Sequence, residues 1–180
     1  MQRVLVIPYD PAWPGEFAQE SAAIAAALGE LHIAIHHIGS TSIPGMHAKP
    51  IIDMIAVVTK IEDVDARNAQ LETLRYIPMG EFGIPGRRFF RKDNSAGFRT
   101  HHIHAFQTGS PQIERHLAFR DFLKAHKDYA RQYADLKQRL AAAHPNDIEA
   151  YMDGKDQFIQ QMDAQAATWR QSHDASSAAS

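Results

Sequence analysis

Residues 50–58, Pro-Ile-Ile-Asp-Met-Ile-Ala-Val-Val, place apolar side chains on both faces of the two-residue pleat and carry a single charge, Asp53. A run of this kind is a central strand covered above and below. The chain must therefore supply a layer for each side, which points to a sheet between helices. A carboxylate in such a strand is costly to bury unless it meets a cation, a metal or several donors. Asp53 is accordingly either a functional group or a brace that accepts N–H groups from the turn before it.

That turn is the second feature. Leu31, Ile33 and Ile35 alternate with His32, Ala34 and His36, the pattern of a half-buried strand ending at Gly39-Ser40. Gly39 allows a sharp, closely approaching backbone. Ser40, Thr41, Ser42, Pro44 and Gly45 then offer hydroxyls, turn geometry and free N–H groups, the makings of a concavity for phosphate. Lys49 adds a positive charge between turn and strand.

The remaining pattern is mainly helical. A short strand is expected at 3–7 and a helix from about 14 to 28, with Phe17, Ile24, Ala27 and Leu28 on one stripe. An amphipathic helix over 61–74 carries Ile61, Val64, Leu71 and Leu74. A Gly- and Pro-rich lead-in at 78–86 precedes strands at 87–92 and 99–106. Helices follow over 112–125 and along Tyr129, Tyr133, Leu136 and Leu140. His144-Pro145-Asn146-Asp147 interrupts that pattern and caps a third helix running toward Trp169. The Ser- and Ala-rich tail over 170–180 reads as disordered.

Charge is unevenly spread. Within 87–104, Arg87, Arg88, Arg91, Lys92 and Arg99 face Asp93 alone, a local net charge of +4 in a chain whose formal total is −2. Concentrated positive charge near a phosphate-type turn favours a nucleotide or a phosphorylated small molecule. A general nucleic-acid surface is not indicated, because the patch is short and no DNA-reading helix is apparent. Along 100–106 the pleat puts His102 and His104 on one face and His101, Ile103 and Ala105 on the other. The histidine pair can ligate a metal, act as neutral hydrogen-bonding groups or donate to phosphate. Glu81 is a second candidate carboxylate, although loop exposure explains it equally well. Lys155 lies between Tyr151, Met152, Phe158, Ile159 and Met162 on the last helix, either entering a cleft or laying its stem along apolar surface. With no cysteine in the chain, only His, Asp and Glu remain as strong metal ligands. There is no run long and apolar enough for a membrane span and no secretory leader pattern, so a cytoplasmic location is expected.

Four segments together resemble the GrpB family. They are Tyr9-Asp-Pro-Ala-Trp-Pro14, His37-Ile-Gly-Ser-Thr-Ser-Ile-Pro-Gly45 through Lys49-Pro-Ile-Ile-Asp53, Glu81-Phe-Gly-Ile-Pro-Gly-Arg-Arg-Phe-Phe-Arg-Lys92, and Arg99-Thr-His-His-Ile-His104. Phe119-Arg-Asp-Phe-Leu123 and Lys155 extend the match toward Trp169. The family is related to the nucleotidyltransferase superfamily, and the resemblance implies an α/β (α+β) fold: a nucleotidyltransferase-like mixed β-sheet flanked by helices. It implies a core over 1–108, a C-terminal helical region over 109–169, and metal-dependent nucleotidyl transfer from a nucleoside triphosphate. In that scheme Gly39 and Ser40 hold phosphates, and Asp53 ligates a divalent metal (Mg, Mn or Zn). Arg88, Arg91 and Lys155 neutralise phosphate charge, and His102, His104 or Glu81 completes the metal shell. The superfamily's second carboxylate, two residues after the first, is here Ile55. A catalytically inactive nucleotide- or phosphometabolite-binding module, linked to coenzyme A metabolism through relatives fused to a coenzyme A biosynthesis kinase, is therefore the alternative. Nothing in the sequence sets an oligomeric state.

Overall fold

A computed structural model describes residues 4–178, with side chains as far as residue 173. The elements follow in the order α1 (Trp13–Leu28), β1 (His32–Ile38), β2 (Ile52–Val58), α2 (Asn68–Thr73), β3 (Ile77–Pro78), β4 (Arg87–Asp93), β5 (Arg99–Gln107), α3 (Pro111–Ala125), α4 (Lys127–Ala143) and α5 (Ile148–Ala178). The five strands form one mixed sheet in the order β1-β2-β5-β4-β3, with β2 and β5 parallel and the other pairs antiparallel.

The 50–58 run behaves as its composition demands, with β2 lying between β1 and β5 and covered on both sides. Ile52, Met54, Ala56 and Val58 join Ile103, Ala105 and Phe90 beneath α1 and α2, where Ile24, Leu28, Val64 and Leu71 complete the main core. The opposite face is divided. Toward one end Ile55, Val57 and Phe106 pack with Ile38 against Ile113 and Leu117 of α3. Toward the other end Asp53, His102 and His104 occupy that same face and line an open cleft. A further apolar cluster ties the C-terminal helices to the turn after β1, uniting Ile43 and Met46 with Ala118, Phe122, Leu123, Tyr133, Ala134, Met162 and Ala166.

Local sequence explains where most elements begin and end. Pro14 opens α1 and Gly29 closes it at φ 59°. The Ser110 side chain caps α3 by accepting the Gln112 N–H, and the Asp147 carboxylate accepts the Ala150 N–H at 3.0 Å, as the His144–Asp147 break predicts. At Gly154 a Cβ would fall 2.4 Å from Cδ2 of Leu140, so α4 and α5 cross where only glycine leaves room.

Four expectations need correction. Residues 4–7 make no strand but a single antiparallel bridge between Ile7 and Ala48, and residue 3 lies outside the described residues. The predicted 61–74 helix divides into a 3₁₀ segment, Glu62–Arg67, and the short α2. The three-residue step from Ile61 to Val64 suits three residues per turn, which keeps both side chains buried. In β1 a register irregularity between His32 and Ala34 turns Ile33 outward, 47% exposed, while Ile35 stays against the core. The tail expected to be disordered continues α5 to Ala178, and residues 179–180 lie outside the described part. Among the described residues no helix is long and apolar enough to cross a membrane.

Candidate functional site

The cleft, about 500 Å³, has Asp53, His102 and His104 as its floor. Gly39, Ser40, Lys49, Tyr133, Lys137, Tyr151 and Lys155 line it from one side, and Phe82, Gly83, Arg87 and Phe89 from the other. Its size falls within the usual range for small-molecule sites, roughly 300–1,000 Å³.

Gly39 is required by the floor itself. Its φ of 69° and ψ of −174° are strained for any residue with a side chain, and a Cβ would stand 2.9 Å from Asp53 Oδ2. The turn thereby lays its backbone directly over the carboxylate. Beyond it the hydroxyls have different partners. Thr41 donates to the Ile51 carbonyl at 3.1 Å and contacts His37 Nε2 at 2.9 Å, and Ser42 donates to the Gly39 carbonyl at 2.5 Å. Both side chains are buried and internally bonded and so brace the turn, with Thr41 also lining the cleft and Ser42 not. Ser40 alone presents its hydroxyl to the cations of the cleft, accepting from Lys137 Nζ at 2.8 Å.

Three lysines converge on that hydroxyl's side of the cleft. Lys137 of α4 and Lys155 of α5 are 2% and 7% exposed, and Lys49 precedes β2. Lys137 also donates to the His47 carbonyl, and its ammonium lies 4.6 Å from the Tyr133 ring centroid. Tyr151 carries two cations on its ring, Lys155 at 4.6 Å and Lys49 at 5.6 Å. Burial, and then the charge of Lys155, pull the Lys137 ammonium down to about 7. Burial, then Lys49, bring Lys155 to about 8. Lys49 is lowered mainly by burial, with Asp53 opposing the shift. Buried cations without carboxylate partners are expensive unless an anion completes them.

On the floor, β5 sets both imidazoles beside β2 through the Asp53–His102 and Ile55–His104 register. His102 Nδ1 lies 2.8 Å and His104 Nε2 3.8 Å from Asp53 Oδ1. Burial alone would raise the Asp53 carboxyl, but the His102 hydrogen bond and the His104 imidazole close by hold it well below the usual carboxylate range. The outer nitrogens are also engaged. Arg99 Nη1 meets His102 Nε2 at 3.1 Å, and Arg87 Nη1 meets His104 Nδ1 at 3.2 Å. A guanidinium only donates, so each outer nitrogen accepts and each inner nitrogen carries the proton aimed at Asp53.

This bears directly on the implied metal. Asp53, His102 and His104 offer ligand atoms within 4.8 Å of one another, so by distance the three could hold an ion. A ligating imidazole, however, must present an unprotonated nitrogen inward and donate its other N–H to an acceptor. Both outer nitrogens here face obligate donors. Arg87 is fixed by the carbonyls of Phe82 at 2.6 Å and Glu81 at 3.1 Å, and Arg99 by Asp93 at 2.5 Å. As placed, the trio meets the distances for an ion, and the two guanidiniums would have to release the outer nitrogens before both imidazoles could ligate one.

Of the other expected residues, Glu81 accepts the Gly86 N–H at 2.7 Å and so closes its own loop, away from the Asp53 cluster. Arg88 falls on the opposite face of β4 and pairs bidentately with Asp65 at 2.7 and 2.9 Å. Arg91 shares the cleft-side face in register with His102 but does not line the cleft, and its Nε is buried without a hydrogen-bond partner. Arg88→Ala is expected to lower stability by only about 0.2–1 kcal/mol, the range of a largely exposed pair, in a urea titration. Sequence reasoning missed Arg87, Arg99 as a histidine partner, Tyr133, Tyr151 and Lys137. For Lys137 a signal existed, since it follows Tyr133 by one helical turn on the buried stripe of α4.

The family model described as GrpB protein matches residues 3–165. UPF0157 protein YqkA of Bacillus subtilis (strain 168) is 47% identical over 169 residues, 94% of this chain and 49% of that protein, so the chain spans about half the length of this relative. The crystal structure of conserved protein GrpB from Enterococcus faecalis superposes with a TM-score of 0.88 at 43% identity, covering 92% of this chain and 99% of that one. The Cid1 poly(U) polymerase superposes at a TM-score of 0.48 and 9% identity over 73% of this chain and 45% of that one, too distant a likeness to bear on the site.

Proposed function

The chain belongs to the GrpB family, and from that premise we propose that its cleft binds the phosphate groups of a nucleotide or of another phosphorylated metabolite. The observation that carries this reading is the gathering of Lys49, Lys137 and Lys155 in one cleft with the Gly39-Ser40 turn, where Lys137 bonds the Ser40 hydroxyl. Among the described residues Asp53 is the only carboxylate lining the cleft, and Arg87 adds a fourth cation. The excess of positive charge matches an oligophosphate far better than a neutral or cationic ligand.

Each group has a distinct part. The lysines contribute compact, multiply donating charges. Ser40 supplies a hydroxyl beside Lys137, and the Gly39 backbone keeps that hydroxyl next to the floor. Tyr133 and Tyr151 hold the ammoniums over their ring faces, which stabilises cations that have no carboxylate beside them. Asp53, held by the His102 imidazole with His104 close by, repels phosphate from the floor and so confines it to the lysine side.

Metal-dependent nucleotidyl transfer is the second reading, favoured by the way the Gly39-Ser40 turn overlies Asp53. Binding without transfer has the stronger support, because position 55, where a second carboxylate would stand, is an isoleucine sealed into an apolar cluster.

Titration calorimetry with inorganic tripolyphosphate, nucleoside triphosphates and coenzyme A, in EDTA and again with magnesium, manganese or zinc, separates the two. Binding in EDTA, at least tenfold weaker in Lys137→Met and unchanged in Arg88→Ala, is the expected result. Binding that appears only with metal would replace the first reading by the second, and no binding under any condition would overturn both.

A further inference from the structure

Phe82 is 59% exposed at the edge of the cleft, with the backbone at φ 46°. A bulky aromatic rarely adopts a positive φ, and strain of this kind persists only where surrounding structure enforces it. Here the enforcement is explicit. Arg87 donates to the carbonyls of both Glu81 and Phe82, and the Glu81 carboxylate takes the Gly86 N–H, so the 81–87 loop is clamped at both ends.

The clamp turns one aromatic face outward. The Phe82 ring stacks on Phe89, centroids 5.2 Å apart and planes at 22°. Phe89 in turn lies 5.2 Å from both His102 and His104 and 5.0 Å from the Arg87 guanidinium. A run of ring contacts, tilted at the two histidines and stacked between Phe89 and Phe82, thus rises from the floor and ends at the cleft mouth in a largely exposed ring. Met152 of α5, 45% exposed, also lines the cleft. Neither Phe82 nor Met152 contributes to a hydrophobic core cluster, so burial does not account for them.

Resting on the phosphate-binding reading, we propose that Phe82 is the stacking platform for the heteroaromatic base of a nucleotide whose phosphates lie among Lys49, Lys137 and Lys155. The stack is tolerant of base identity, because every base has a π-face and the platform presents no hydrogen-bonding group to read an edge. The ligand class is therefore a nucleoside oligophosphate, with weak discrimination among bases.

Calorimetry on the full chain compares ATP and UTP with inorganic tripolyphosphate for the wild type, Phe82→Ala and Phe82→Gly. The expected result is at least tenfold tighter binding of both nucleotides than of tripolyphosphate in the wild type, with that advantage lost in both variants and tripolyphosphate affinity unchanged. Phe82→Gly should also melt at a higher temperature than Phe82→Ala, since glycine relieves the positive φ, which guards against a folding artefact. A nucleotide advantage that survives in both variants, or an equal loss for nucleotides and tripolyphosphate, would overturn the platform while leaving the phosphate site standing. Nucleotide binding that depends on Phe82 in the absence of any tripolyphosphate binding would uphold the platform and overturn the phosphate reading.

Discussion

Gly39→Ala is expected to destabilise the protein by about 2–6 kcal/mol, the sum of roughly 1–3 for backbone strain and roughly 1–3 for overpacking. That is a large part of the 5–15 kcal/mol typical of a whole domain. The two contributions can be separated within this chain. Gly45 also has a positive φ, 79°, but a Cβ there meets nothing within 4 Å, whereas at Gly39 it would meet Asp53 Oδ2 at 2.9 Å and Asp53 Cβ at 3.2 Å. Gly45→Ala therefore reports conformation alone, and the excess cost of Gly39→Ala reports the collision with Asp53. A double-mutant cycle with Asp53→Ala completes the test, because shortening the carboxylate should recover part of the excess. Urea titrations measure the wild type and all four variants. Equal losses at positions 39 and 45 would mean that the turn does not rest rigidly on the carboxylate, and the cleft floor would then have to be redrawn.

The second large effect is a pH dependence with opposite signs for stability and binding. The Lys137 ammonium titrates near 7 in the folded protein, because burial and Lys155 oppose its charge, against about 10.4 when unfolded. Between these values the unfolded chain holds the extra proton, so the stability of the unliganded protein rises as pH increases from about 7 to about 10. The gain attributable to Lys137 is on the order of 3 kcal/mol, read as the difference between wild type and Lys137→Met across that window. Lys155, lowered to about 8, adds to the same trend. Phosphate binding runs the other way, since it requires the protonated ammoniums, and should weaken up to about tenfold per pH unit for each proton it needs. The groups facing Lys137 are Ser40, the His47 carbonyl, Tyr133 and Lys155, and no carboxylate is among them to reverse the sign. Parallel pH trends for stability and affinity would refute the lysine-centred account.

Much of this arrangement can be read from the chain before any coordinates. The apolar 50–58 run dictates a covered central strand, and the Gly39-Ser40 turn points to a close backbone approach whose partner proves to be Asp53. The pleat places His102 and His104 together correctly, since alternation is a local property. What local patterns do not carry is partnership. Arg88 and Arg87 differ by one position and therefore by a whole face, and only the register against β5 determines which of them meets His104. Glu81 is drawn to its own loop's Gly86 N–H, a contact that depends on how residues 81–86 close. The lysine cluster draws on the segment before β2 and on two helices that lie far beyond it in the chain, so no local spacing joins the three. Lys155 is legible as an interrupted apolar stripe, and Lys137 is equally so by its helical offset from Tyr133.

The crossing at Gly154 gives the cluster its lasting dimension. Gly154 adjoins Lys155, and Leu140, which fills the space a side chain at 154 would need, lies one turn from Lys137. The two helices meet at that point through the Leu140 side chain and act as a caliper, with the two ammonium groups as its jaws. Long, flexible side chains ordinarily make poor rulers. Here both lysines issue from helices that pack against each other beside them, so the span offered to an anion is set by how α5 seats on the Leu140 side chain of α4.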